Sequence, residues 1–201
     1  LRMGGKSSTV PANSDSSKTS NDSEACPWAT SIVFKADRNS SNQHIWNSGE
    51  GAGSTDDNIY LRLDSNGQVY FGWGRQGAVN ECKVAVVPHS STGRYWGVYI
   101  AHKGTRLSGS NATASNLADA FDIRVMTNNG GDDFATLSSN QSTSANWTTT
   151  GGRMDRSVTG DFTIAGRGSN RSFHGKVASM VITTHRSNFN MHTEAESTLR
   201  S

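Results

Sequence analysis

"FTIAGRGSNRSFHGKVASMVIT", Phe162 to Thr183, reads as strand, glycine turn, strand. Successive side chains of a strand point to opposite faces, so alternate apolar residues share one face. Phe162 and Ile164, then Phe173, Val177 and Val181, are on this reading two sets facing the core of a β-sandwich. The same alternation puts Met180 and Ile182 on the opposite face. That face is therefore expected to be covered too, by a sheet edge, the C-terminal tail or a partner. No helix follows Gly166, Gly168 and Gly175, so they serve backbone geometry rather than a phosphate cradle.

Further strands recur about every ten residues. "PWATSIVFKAD" (Pro27 to Asp37) places Trp28, Ile32 and Phe34 on one face. "QHIWNSGE" (Gln43 to Glu50) is a short strand entering a glycine-rich loop. "NIYLRLDSNGQVYFGWG" (Asn58 to Gly74) is the clearest hairpin, with "DSNG" as a turn whose Asn-Gly pair accepts positive φ. "GRYWGVYIAHKG" (Gly93 to Gly104) and "FDIRVMT" (Phe121 to Thr127) are strands. Ser110 to Phe121 is the one stretch with helical character. Asn128 to Gly160 reads mostly as loop, with Trp147 inside it. Many short strands and almost no helix predict an all-β fold, two antiparallel sheets in a jelly-roll sandwich. Residues 1–25 are rich in Ser, Thr and Asn and have little to bury, which predicts a flexible arm. The sandwich then spans 26–186, and 187–201 form a C-terminal tail.

Composition excludes several classes. Of 201 residues, 33% are hydrophobic and 18% charged, and 21 are Gly. No run approaches the ~20 apolar residues that span a bilayer, so no membrane insertion is expected. Net charge is +2, with 19 basic residues scattered against 17 acidic ones. Nucleic-acid binding calls for a basic stripe, and none is present. Cys26 and Cys82 read either as one disulfide or as two buried thiols. The chain opens "LRMGGKSST" without an initiator Met or a secretory apolar segment, as a processed product or a segment of a longer polypeptide would.

The closing strand pair, with Phe173-His174-Gly175-Lys176-Val177, resembles that of the concanavalin A-like lectin/glucanase superfamily in its laminin-G and pentraxin-like branch. Asn58 to Gly74 resembles that family's central hairpin, and "YWGVYIA" its following strand. The resemblance runs from Trp28 to about Arg186. "SSNQHIWNSGEGAGSTDDNIYLRLDSNG" and "TSANWT...GGRMDR" also resemble structural proteins of marine tailed bacteriophages of cyanophage and pelagiphage type. That likeness implies a virion-surface protein, as capsid decoration, fibre or adhesion module, whose partners are other virion proteins, copies of itself and host-surface glycan.

A glucanase of this superfamily resembles Glu-x-Asp-x-x-Glu on one strand, which aligns an attacking and a protonating carboxyl. None of the five Glu (Glu24, Glu50, Glu81, Glu194, Glu196) lies in that pattern. No G-x-S-x-G elbow exists, and His174 reads as an exposed polar position, so no enzyme is expected. The family's frequent cofactor is calcium, which needs converging oxygen ligands. Asp56, Asp57 and Asn58 offer them, with Asp64 and Asp155 as further candidates; the alternative is a solvated acidic turn. Sugars dock their CH faces on aromatic rings while amides, carboxylates and Arg take the hydroxyls. Trp73 and Arg75 at a strand end, and Trp46 near Glu50, are the candidate glycan site; the alternative for both tryptophans is the core. Arg153, Arg156, Arg167 and Arg171 read as a partner-contact rim or as a solvated one pairing with Asp155 and Asp161.

The sequence thus predicts a non-enzymatic virion surface module that binds glycan weakly. Two rival readings stand beside it. One is a secreted lectin-like module. The other is a polysaccharide hydrolase with unrecognised carboxylates.

Overall fold

The structure is a computed structural model that describes residues 28–37, 42–48, 57–75, 78–86, 94–103, 107, 112–127, 137–150, 162–166 and 172–184. The N-terminal arm and the C-terminal tail lie outside the described residues, as do Cys26, Glu50, Asp56, Arg153, Arg156, Arg167 and Arg171. No described helix is long and apolar enough to cross a membrane.

Among the described residues, ten strands and one short α-helix follow in order: β1 (Trp28–Ala36), β2 (Gln43–Ser48), β3 (Asp57–Leu63), β4 (Gln68–Arg75), β5 (Ala78–Val86), β6 (Tyr95–His102), α1 (Ala114–Ala120), β7 (Phe121–Thr127), β8 (Trp147–Thr148), β9 (Phe162–Ile164) and β10 (Gly175–Thr184). They build two sheets, ordered β10-β1-β6-β7 and β8-β5-β4-β3-β2-β9. Every pairing is antiparallel. The all-β sandwich expected from strand spacing is what forms.

Between the sheets lies one apolar core. Trp28, Ile32 and Phe34 of β1 share its face, as alternation required. Val98 and Ile100 of β6 and Phe121 and Ile123 of β7 join them. The six-stranded sheet contributes Trp46, Ile59, Leu61, Leu63, Val69, Phe71, Trp73 and Cys82. An aromatic group packs at the centre: Phe71 meets Phe121 edge to face with ring centres 5.3 Å apart, and Phe121 lies tilted 5.5 Å from Trp147.

Three irregularities reset the alternation. Val33 pairs with Ser179 and Phe34 with Val177, so Ala178 is an extra residue in β10. A bulge of this kind moves every later residue to the other face. Met180 and Ile182 consequently pack against the core beside Ile32 and Thr30, their register partners. Val181 points outward and is 36% exposed. The expectation for this strand is therefore corrected: Val181 does not face the core, and Met180 and Ile182 do. Ile45 is an extra residue in β2 in the same way, between His44 opposite Arg62 and Trp46 opposite Leu61. Val84 is the third, in β5.

The β3–β4 hairpin closes as the sequence predicted. Asp64 Oδ1 accepts from the amides of Asn66 (2.9 Å) and Gln68 (2.8 Å), and the Gly67 amide donates to the Asp64 carbonyl (3.1 Å). Within this turn Gly67 takes the left-handed conformation, at φ 77°, so the turn's conformational demand falls on the glycine and not on Asn66. At the start of β10, a Cβ on Gly175 would run into the Lys35 carbonyl and the Phe173 ring, so a close backbone approach demands glycine there. At Gly166 a Cβ would meet only Ser172 Cα at 3.8 Å, so no such demand exists.

Helix α1 starts at the Thr113 side chain, which accepts from the Asn116 amide, and buries Leu117 and Ala120. Residues Ser138 to Gln141 strap the outer edge of β7. The Ser138 and Gln141 amides donate to the Val125 and Ile123 carbonyls at 2.8 and 2.6 Å. Ser138 Oγ and Asn140 Oδ1 accept from the Val125 and Ile123 amides. The strap satisfies edge groups that would otherwise recruit another chain. Trp147, expected in a polar loop as a buried anchor, is one: it is 6% exposed, and its Nε1 donates to Ser142 Oγ at 2.9 Å. Cys82 is a free, buried thiol.

Candidate functional site

The outer face of the six-stranded sheet carries a polar cluster set by strand register. Alternation places Tyr60 and Arg62 of β3 on that face, because Ile59, Leu61 and Leu63 fill the core. Arg62 stands opposite Tyr70 of β4, and Tyr60 opposite Gly72. Gly72 in turn stands opposite Glu81 of β5. Gly72 has no side chain, so the Tyr60 ring lies across β4 and reaches the next strand. There its hydroxyl donates to Glu81 Oε1 at 2.7 Å. A Cβ on Gly72 would come within 2.5 Å of the Tyr60 hydroxyl oxygen and closer still to the ring carbons Cζ and Cε2.

Glu81 also receives both arms of a guanidinium fork. Arg62 Nε donates to Oε1 at 2.7 Å and Nη2 to Oε2 at 2.9 Å. Such bidentate pairs add geometric precision to charge. The Arg62 guanidinium carbon sits 4.3 Å from the centre of the Tyr70 ring, a cation–π stack. The Tyr70 hydroxyl donates to Gln68 Oε1. His44 packs behind Tyr60 with ring centres 5.1 Å apart. The side chains of Arg62 and Glu81 remain 16% and 24% exposed, so the fork borders solvent.

Electrostatics follow the geometry. Burial pushes the Glu81 carboxyl up, but the hydrogen bonds from Arg62 and Tyr60 and the Arg62 charge outweigh it and hold its pKa below the usual value. Burial lowers the Arg62 pKa, and Glu81 more than restores it. Burial and the Glu81 charge push the Tyr60 phenol well up, so it stays a donor. At neutral pH the cluster is a locked ion pair with a neutral tyrosine.

The two tryptophans expected to form a glycan site lie elsewhere, in the core. Trp73 is fully buried, with its ring 5.9 Å from Trp28, 5.5 Å from His102 and 6.0 Å from Phe121. Aromatic pairs of this kind are worth ~0.5–1.5 kcal/mol each beyond burial, so swinging the ring out to meet a sugar would forfeit several. Trp46 is fully buried too, stacked on Phe162 at 5.8 Å. Neither ring is a sugar platform, which corrects both assignments. Arg75 is the last residue of β4, opposite Asp57 and Ala78, on the same strand as Tyr70 but at its far end. Glu50 lies outside the described residues. Of the calcium candidates, Asp57 and Asn58 begin β3 as backbone partners of Arg75 and Gly74, and Asp56 lies outside the described residues. Asp64 Oδ1 holds its own turn. Among the described residues no group of three or more His, Cys, Asp or Glu could hold a metal ion. The four rim arginines lie outside the described residues.

Glu81 is not among the site residues expected from sequence, because its strand, "AVNECKVAV" (Ala78–Val86), carries polar residues on both faces. A signal was present. Val79, Glu81 and Lys83 alternate with Asn80, Cys82 and Val84, a half-buried pattern. Polar residues on both faces masked it.

No family model and no curated protein matches the sequence. In structure, the chain is similar to the CBM40 of the Ruminococcus gnavus IT-sialidase bound to α2,3-sialyllactose, with 11% identity and a TM-score of 0.46 over 98% of this chain and 96% of that one. It is similar to the heptameric SAP-like pentraxin of Limulus polyphemus, with 9% identity and a TM-score of 0.35 over 82% of this chain and 71% of that one. It is similar to a leech intramolecular trans-sialidase, with 11% identity and a TM-score of 0.43 over 87% of this chain and 23% of that one. These similarities carry no ligand or activity to this chain.

Proposed function

We propose that this chain is a non-catalytic glycan-binding module on the surface of a phage particle. It would hold saccharide on the outer face of the six-stranded sheet, around Tyr70, Arg62 and Glu81. One observation carries the binding reading: the Arg62–Tyr70 stack locked by the bidentate Arg62–Glu81 pair. Sugar recognition combines planar groups with fixed hydrogen-bonding partners, and groups fixed before binding lose little entropy when the ligand arrives. The non-catalytic reading rests on Glu81. It is ionised and bonded to Arg62 and Tyr60, whereas hydrolysis by two carboxylates needs a second, protonated acid ~5–9.5 Å away.

The particle setting rests on the sequence resemblance and on a 1–25 arm with little to bury. Such an arm is suited to ordering on a neighbouring virion protein or another copy. Arg153, Arg156, Arg167 and Arg171 would contact the same neighbours.

A glycan array of neutral and acidic saccharides tests the binding reading, comparing the native chain with Tyr70→Ala. Binding that weakens about tenfold in the variant supports it, in line with the loss of one aromatic contact. An array with no binder sinks it. Antibody labelling of intact purified particles tests the setting, and labelling that appears only after disruption refutes surface display.

A further inference from the structure

We infer that the saccharide taken by this face is neutral and hydroxyl-rich, because the arginine that would grip an acidic sugar is already spent within the chain. The inference rests on the glycan-binding reading above.

Arginine recognises a carboxylate or sulfate through two parallel N–H donors along one edge of its plane. In Arg62 the Nε–Nη2 edge is bonded to Glu81 at 2.7 and 2.9 Å. Tyr70 covers one flat face of the same group. Nη1 is directed toward Asn42 Oδ1 at 3.5 Å. An acidic sugar reaching Arg62 would meet the Glu81 carboxylate beside it and be repelled.

The surrounding charges balance as well. Arg62 and Lys83 are positive, and Lys83 pairs with no carboxylate among the described residues. Glu81 and Asp64 are negative, and the Asp64 charge acts on the Tyr70 phenol. Among the described residues two cations stand against two anions, so these groups offer no net attraction to an acid. Local donors and acceptors remain. Nη1 of Arg62 and the Lys83 ammonium can donate, and the lone pairs of Glu81 Oε2 not directed at Arg62 can accept. A hydroxyl both donates and accepts and so suits this mixture.

The test uses the full chain and matched glycan pairs that differ by one acidic group, such as lactose with sialyllactose and desulfated with sulfated galactan fragments. We expect the neutral member of each pair to bind at least as well. Its affinity should change by less than about twofold between low and high salt, since no net charge is exchanged. Glu81→Gln keeps the shape and frees the fork, so preference should swing toward the acidic member by about tenfold. A native preference of roughly tenfold or more for acidic members overturns the inference and leaves glycan binding standing. So does a Glu81→Gln variant, shown folded by its circular dichroism, whose preference is unchanged. No binding to either member overturns the glycan-binding reading itself, and this inference with it.

Discussion

Gly72→Ala should unsettle the outer face of the six-stranded sheet out of proportion to one methyl group. The added Cβ would fall within 2.5 Å of the Tyr60 hydroxyl oxygen, on a ring that is 6% exposed and fixed by its bond to Glu81. Something must move, and the tyrosine is the only flexible party. Overpacking of this kind costs ~1–3 kcal/mol. Breaking a hydrogen bond to a charged group adds ~1.5–3 kcal/mol. Against this, replacing Gly by Ala restricts the unfolded chain and returns ~0.4–1 kcal/mol. The net destabilisation is about 1.5–5.5 kcal/mol, read from urea unfolding with an unchanged slope. For a domain of this size that lowers Tm by roughly 2–4 °C per kcal/mol. A double-mutant cycle isolates the cause. In a Tyr60→Ala background the lane is empty, so adding Gly72→Ala should cost less than about 0.5 kcal/mol. A single variant within ~0.5 kcal/mol of native, or an equal cost in both backgrounds, would refute the reasoning.

Ala165 holds φ at 62°, a conformation that costs a non-glycine residue ~1 kcal/mol or more. Ala165→Gly should therefore raise the urea midpoint by up to about 0.5 kcal/mol of stability once the added freedom of the unfolded chain is deducted; a lowered midpoint contradicts this. The Glu81 pKa is depressed on folding, so its contribution is present in full above the unfolded value of 4.5 and is lost as pH falls through the folded value. Glu81→Gln should flatten that part of the stability–pH profile below about 4.5, and an unaltered acid limb argues against the ion pair. Burial pushes the Cys82 thiol up to about 12. Alkylation located by peptide mass spectrometry should reach Cys82 only in denaturant, and rapid native labelling would show the thiol to be accessible. The Ala178 bulge predicts that Val181→Lys is tolerated within ~0.5 kcal/mol while Met180→Lys costs more than ~2 kcal/mol, because only the latter buries an unpaired charge. Equal costs would mean that the strand does not change face.

Much of the architecture is legible in the chain itself. Alternation on Trp28, Ile32 and Phe34, the Asp64–Gly67 turn, and the Ala-rich stretch before Phe121 fix a core face, a hairpin and a helical turn. Each depends on residues within a few positions of one another, where backbone conformation and side-chain period are local properties. Alternation likewise determines that Tyr60 and Arg62 share a face. It does not determine what that face meets. Gly72 and Glu81 reach Tyr60 only through the register of three strands, and Glu81 comes from a strand whose polar residues on both faces hid it. Tertiary contacts also decided the depth of Trp73, since the rings that enclose it, His102 and Phe121, come from β6 and β7. The bulges at Ile45, Val84 and Ala178 carry the same lesson. A single extra residue inverts every later side chain, and only pairing with a strand distant in sequence reveals where the count is broken.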